Sequence, residues 1–276
     1  MIQIGCTGFQ EHTSLNKKAK VSLYEYAQYF PIVELDTSFY FIPQRAHIEK
    51  WLKETPSNFQ FIMKVPGALT THQTLEEGET YAELAQQLSE RCALFKEQQR
   101  LYCLLAQFPA SFTCTKQNVQ WLRELRHWFK KERVAVEFRH SSWYDEKNRA
   151  AMRQFMTDQQ FSLVIVDEPK KLSTTIPLDD YVTNAAFCFI RLHGRNDAGW
   201  MHTGPDARAY RTLYDYSLAE LTEIQRVITN CEQQSQQVAI IFNNNSGGHA
   251  AANAQQLQQL LGLEFSNLNP TQLDLF

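Results

Sequence analysis

The residues able to do chemistry gather at one end of eight short apolar runs. Glu34 and Asp36 close the run Ile32–Asp36, and Lys64 stands one residue before the end of Phe59–Val65. Gln107 ends Leu101–Gln107, Glu137 and Arg139 end Val134–Arg139, and Asp167 ends Phe161–Asp167. Arg191 and His193 finish Ala186–His193, and Asn243 finishes Val238–Asn243. Side chains alternate along a strand with period two. Glu34 therefore shares a face with Asp36, Glu137 with Arg139, and Arg191 with His193, each opposite a largely apolar face. One polar tip is ordinary surface. Seven of the eight runs carry one at or beside the C-terminal end, which makes either a binding mouth or a buried ion-pair lattice that only closes the fold. Buried charges cost several kcal/mol each and stabilise weakly even when paired, which favours the mouth.

The types narrow the chemistry. Glu137 and His193 are placed to move protons, with Asp167 orienting the imidazole and Glu34 beside them. Lys64, Arg139, Arg191 and Arg195 are placed to grip an anion, the arginines as forks and the lysine as a point charge. Glu34, Glu137, Asp167 and His193 could also ligate a divalent ion. Fixed cations in the same mouth oppose it, and no HxH, HExxH or DxD pattern supports it, so no metal is expected. GxSxG, GxGxxG and GxxxxGK[ST] are all missing, which disfavours a serine nucleophile elbow and nucleotide cofactors held by such loops, and no cofactor is expected. After the eighth run, Ser246, Gly247 and Gly248 precede a helix, where free backbone N–H groups could hold a phosphate. Trp143 is a candidate for the rim, whereas His12, His47, His127 and His202 read as surface or packing residues.

The elements that must position these groups are the eight runs, which begin with Ile2–Cys6, and the amphipathic stretches between them. Apolar residues recur at three- and four-residue spacing in Val21–Phe30, Arg45–Glu54, Tyr81–Glu97, Gln117–Lys131, Glu146–Asp158, Arg208–Cys231 and His249–Leu261. Strands alternating with helices predict a single α/β domain, a (β/α)8 TIM barrel over residues 1–262, with its site at the strand C-termini. Gly262 is placed to stop the last helix. The long gaps Glu168–Asn184 and Gly194–Pro205 are candidate covering loops. The chain's 276 residues, 43% hydrophobic, suffice for one such core. A net charge of −3 argues against a general nucleic-acid coat or a polybasic membrane binder. Cys6, Cys92, Cys103, Cys114, Cys188 and Cys231 form no CxxC pair and read as reduced thiols. Neither a secretory leader nor a membrane-length apolar run is visible, so a soluble cytoplasmic protein is expected.

The stretches IGCTGF at 4–9, VELDTSFYFIP at 33–43, FQFIMKVP at 59–66 and THQTL at 71–75 resemble the YecE-like family, a domain family of unknown function. So do LAQFPASF at 105–112, VAVEFRHSSWY at 134–144, RLHGR at 191–195 and IIFNNNSGGHAAANA at 240–254. The resemblance implies a TIM barrel and a site location, with no reaction. It adds Tyr40 and His72 to the candidates, beside Glu34, Lys64, Gln107, Glu137, Arg139, Asp167, Arg191, His193 and Asn243.

The chain finishes Gln272-Leu273-Asp274-Leu275-Phe276. This resembles the short peptide by which bacterial polymerases and repair proteins dock on the DNA sliding clamp, with a Gln held by polar contacts and a Leu-Phe pair in an apolar pocket. Residues 265–271 could serve as an extended tether, whereas the alternative is a tail whose apolar residues pack on the barrel. Three functions follow. One is an enzyme, a hydrolase or lyase, acting on a phosphorylated or nucleic-acid-derived substrate. Another is a metal-dependent hydrolase or isomerase, and the third is a non-catalytic anion-binding adaptor tethered to the clamp.

Overall fold

In a computed structural model, residues 1–16, 18–170, 172 and 175–271 are described. The strands are β1 (Ile2–Thr7), β2 (Ile32–Leu35), β3 (Gln60–Lys64), β4 (Leu101–Gln107), β5 (Val134–Glu137), β6 (Ser162–Leu163), β7 (Ile165–Asp167), β8 (Cys188–Leu192) and β9 (Val238–Phe242). They form one sheet in the order β6-β5-β4-β3-β2-β1-β9-β8-β7, and every pairing is parallel. β6 and β7 are the two halves of the predicted sixth strand, separated by Val164, whose N–H still donates to the Val136 carbonyl at 2.9 Å. The sheet thus wraps into a nearly closed TIM-like barrel whose seam lies inside a single run.

Around it pack α1 (Leu23–Tyr26), α2 (Thr37–Tyr40), α3 (Arg45–Glu54), α4 (Tyr81–Glu97), α5 (Lys116–Trp128), α6 (Glu146–Asp158), α7 (Asp197–Met201), α8 (Ala207–Arg211), α9 (Leu218–Gln234) and α10 (His249–Leu260). The strands bury Val, Ile, Leu and Phe on both faces, as parallel strands under helices must. Two expected boundaries move for local reasons. The helix expected at Arg208–Cys231 is two helices, because Ser217 and Glu220 form a capping box that starts α9 afresh. Only Leu23–Tyr26 of Val21–Phe30 is α-helical, behind a capping box of Ser22 and Glu25.

At the N-terminal end of the barrel a register shift beside Phe61 leaves Tyr102 as an extra residue in β4. Its hydroxyl donates to the Cys188 carbonyl on β8 at 2.8 Å, tying opposite walls together. Each cysteine is free, and only Cys114 is not fully buried. None of the helices is long and apolar enough to cross a membrane among the described residues.

After Gly262, in the left-handed region at φ 62°, the chain returns along the barrel instead of extending as a tether. Leu263 and Phe265 pack against the core. Asn269 donates from its side chain to the carbonyls of Tyr24 at 3.0 Å and Glu54 at 2.7 Å, and its N–H donates to Ala27 at 3.0 Å. Residues 272–276, which carry the clamp-like peptide, lie outside the described residues.

Candidate functional site

The predicted face-sharing of Arg191 and His193 at the end of β8 aims both into the barrel, where the guanidinium is buried. Arg191 spans the interior. Its Nε and Nη2 donate to the two carboxylate oxygens of Glu34 on β2 at 2.8 and 2.7 Å, a bidentate fork. Its Nη1 donates to Glu137 Oε2 on β5 at 2.6 Å. Strand register supplies the remaining partners. Thr7 lies beside Glu34, and its hydroxyl donates to Oε1 at 3.2 Å. Gln107 lies beside Glu137 and donates from Nε2 to Oε1 at 2.7 Å. Arg139 donates to that same Oε1 at 3.0 Å, its second partner being Glu168 at 3.2 Å.

His193 closes this network. Asn243 donates from Nδ2 to His193 Nδ1 at 2.8 Å, so the imidazole proton sits on Nε2 and is given to Glu137 Oε1 at 3.0 Å. Burial, reinforced by the charges of Arg139 and Arg191, drives His193 down to about 3, so it is neutral near pH 7. For Glu137 burial opposes ionisation, but Arg191, Arg139 and the hydrogen bond from His193 outweigh it and hold the carboxyl well below its usual range. A carboxylate so acidic, with both oxygens occupied, is a poor base. Glu34, Glu137 and Arg191 are thus paired with one another in a buried ion-pair lattice, which forms the floor of the mouth.

Above that floor lies a cavity of about 230 Å³. At ~30 Å³ per water it has room for roughly seven waters, the size of a small metabolite. Lys64, Gln107, Arg139, Arg191, His193 and Asn243 line it from the strand ends, and Asp36 and Tyr40 from the segment after β2. The long segment after β8 brings Trp200, Arg208, Arg211 and Thr212 over the top, a covering role expected of its first half. Gly194 permits that departure. Its φ is 89°, and a Cβ there would lie 2.5 Å from Tyr214 Cβ. A larger surface groove of about 680 Å³, beside α1 and α3, shares only Asp36 with the mouth.

The cations of the mouth differ in their freedom. Arg191 and Arg139 are paired as above, and Arg208 pairs with Asp36 at 3.2 Å while touching the Tyr40 hydroxyl at 3.4 Å. Among the described residues, Lys64 Nζ and Arg211 make no ion pair. Lys64 Nζ lies over the Phe39 ring, 4.5 Å from its centroid. Arg139 and Arg211 flank Trp200, 4.6 and 5.9 Å from its ring centroid. Burial first, then the Arg191 charge, bring Lys64 down to about 8, against the pull of Glu34, Glu137 and Asp36.

Some expected members stand elsewhere. Asp167 does not orient His193. It is held by Arg195 at 2.8 Å and by the Tyr216 hydroxyl at 2.7 Å, so Asn243 performs that task. Arg195 is consumed by Asp167 and Glu223 and leaves the anion grip. His72 accepts from or donates to Thr70 at 3.0 Å and meets Phe39 edge-on, behind Lys64. Partial burial and Lys64 lower it to about 4. Ser246 bonds to Thr212 at 2.7 Å, and Gly247 and Gly248 turn through positive φ into α10, so this loop adjoins the mouth without lining it. Trp143 is not at the rim. It is buried, stacked on Phe138 at 4.0 Å, with its N–H given to Phe112 at 2.8 Å. Trp200, Arg208, Arg211 and Thr212 were not among the expected lining residues, because they lie in or beside short loop helices whose return over the barrel no strand pattern reports. For a metal, the carboxylates of the floor are committed to Arg191, and no group of three or more His, Cys, Asp or Glu is arranged to hold an ion among the described residues.

The sequence pattern described as "Protein of unknown function DUF72" matches residues 3–274. The chain belongs to this DUF72 family. It is 38% identical over 282 residues to the UPF0759 protein YunF of Bacillus subtilis (strain 168), covering 100% of both chains. A crystal structure of a DUF72 family protein from Enterococcus faecalis V583 is 42% identical, with a TM-score of 0.94 over 99% of this chain and 100% of that one. Another, from Thermotoga maritima MSB8, is 29% identical, with a TM-score of 0.80 over 95% of this chain and 100% of that one. The expectation of a barrel family of unknown function is thereby met at the level of DUF72 and UPF0759. The YecE-like label stays with the motifs that suggested it.

Proposed function

We propose that this DUF72 protein is an enzyme that takes a small anionic substrate, phosphate- or carboxylate-bearing, into the mouth of its barrel. The observation that carries this reading is the pair of cations, Lys64 and Arg211, that face one cavity without a carboxylate partner among the described residues. A cation beside a polar cavity with no ion-pair partner is poised for an anion, and the paired floor beneath keeps the surrounding donors fixed. Arg139, braced by Glu137, Glu168 and Trp200, offers the third positive edge. Gln107, Asn243 and Tyr40 supply neutral hydrogen-bonding groups around the substrate.

Orthophosphate, pyrophosphate and small phosphorylated sugars, titrated while the melting temperature is followed, test this directly. Binding to the native state raises that temperature by mass action. Arg211→Met removes an exposed charge that the fold does not need. It should weaken the best anion roughly tenfold or more, the scale of one charge-assisted hydrogen bond. If no anion stabilises the protein, or if Arg211→Met and Lys64→Met bind as the wild type does, the reading fails. The clamp-docking role of Gln272–Phe276 remains a separate proposal. It requires that titration of a sliding clamp give micromolar binding that vanishes when Leu275 and Phe276 are deleted.

A further inference from the structure

We propose that Lys64 is a covalent nucleophile, forming a Schiff base with the carbonyl carbon of a small anionic aldehyde or ketone held in the mouth. The inference deepens the anion-site reading and rests on it. A lysine that serves only the architecture of a barrel floor is paired, as Arg191 is with Glu34 and Glu137. Lys64 is not. Its ammonium projects from the end of β3 into the cavity over the face of Phe39, and no carboxylate of the described residues lies within ion-pairing distance. Arg139 and Arg211 remain to hold the substrate's acid group beside it. This leaves the amine to approach a carbonyl carbon.

Desolvation and a neighbouring cation are the two devices that activate a lysine amine. Both act here, bringing it to about 8, where an appreciable fraction is neutral near pH 7.

The step balances without an external oxidant or reductant. The neutral amine lone pair attacks the carbonyl carbon, an N–C bond forms, and the carbonyl π pair moves to oxygen, which takes up a proton. Nitrogen loses a proton, the resulting hydroxyl leaves as water with a further proton from solvent, and a C=N bond remains. The protonated imine then draws electrons from the adjacent carbon, as lyase chemistry requires. Neither His193, neutral and locked between Asn243 and Glu137, nor Glu137, saturated by four donors, offers a comparable nucleophile.

The test is reductive trapping. Full-length protein is incubated with pyruvate or glyceraldehyde 3-phosphate and sodium borohydride, then peptide-mapped by mass spectrometry. Orthophosphate binding is measured on the same preparation. The expected result is one reduced adduct on Lys64, at least tenfold above any other lysine and suppressed by orthophosphate. It should be lost in Lys64→Arg and kept in Lys50→Arg, a surface control. Adducts spread evenly over surface lysines, or none, while orthophosphate still binds, would overturn the nucleophile and leave the anion site standing. Absence of both trapping and phosphate binding would overturn both. Because the wild-type map alone decides the matter, an unfolded Lys64→Arg would not rescue the proposal.

Discussion

Replacing Arg191 by Met distinguishes a structural floor from a ligand-binding arginine. Arg191 is buried and gives three charge-assisted hydrogen bonds of 2.6 to 2.8 Å. In Arg191→Met, Glu137 keeps Arg139, Gln107 and His193, but among the described residues Glu34 keeps only the Thr7 hydroxyl. Removing one partner of a buried ion pair costs about 3–5 kcal/mol, because the other charge is left uncompensated. At roughly 2–4 °C per kcal/mol for a chain of this size, the melting temperature should fall by about 6–20 °C. The specific signature is rescue. Adding Glu34→Gln removes the stranded charge and should recover about half or more of the loss, a positive coupling that unrelated sites do not show. Urea unfolding of wild type, both single variants and the double variant at pH 7.5 supplies the cycle. An Arg191→Met protein that melts within a degree or two of wild type, or a double variant no better than Arg191→Met, would refute the floor assignment.

Other outcomes follow from the same geometry. His193 stays neutral in the fold down to about pH 3, whereas the unfolded imidazole takes a proton near 6.5. The unfolded state therefore binds more protons between these values, and stability falls as pH drops. From pH 7.5 to pH 5 the loss should be about 2 kcal/mol, measured by urea unfolding. His193→Gln, which keeps a donor for Glu137, should flatten this limb. The depressed Glu137 carboxyl adds its own loss at lower pH, beginning where the unfolded carboxyl takes its proton in the ordinary range and growing until the native group is itself protonated. Tyr216→Phe removes the hydroxyl that accepts from the buried Gly194 N–H at 2.9 Å and donates to Asp167. It should cost about 1–3 kcal/mol in thermal unfolding. Asn269→Ala releases the returning C-terminal segment. Chymotrypsin cleavage after Phe265 should accelerate about tenfold, the equivalent of 1.4 kcal/mol, with little change in melting temperature.

Much of the barrel was legible because parallel strands buried on both faces write continuous apolar runs, and alternation within them placed Arg191 and His193 on one face. The break at Val164 was not, since an apolar residue leaves the run unbroken whichever way its backbone bonds. Glu34, Glu137 and Lys64 could be read as mouth residues, but not which of the charges neutralise one another. That depends on pairings across the barrel, such as Arg191 on β8 with Glu34 on β2, at 157 residues' separation. Asp167 and Asn243 both end strands, so only geometry decides which reaches the imidazole. Trp200 and Arg211 sit on helices of five residues; the spacing joined Arg211 to the long helix that follows and carried no sign that either segment returns over the mouth.

The mouth between Lys64, Arg139 and Arg211 is the proposed anion site. Crystals of the full chain soaked in tungstate or orthophosphate test it most directly, at anion concentrations bracketing the solution affinity. Density is expected within hydrogen-bonding distance of Lys64 Nζ and one of the two guanidiniums, and should be lost in Arg211→Met crystals. An empty mouth, with the anion bound instead at Ser246–Gly248 ahead of α10, would contradict it.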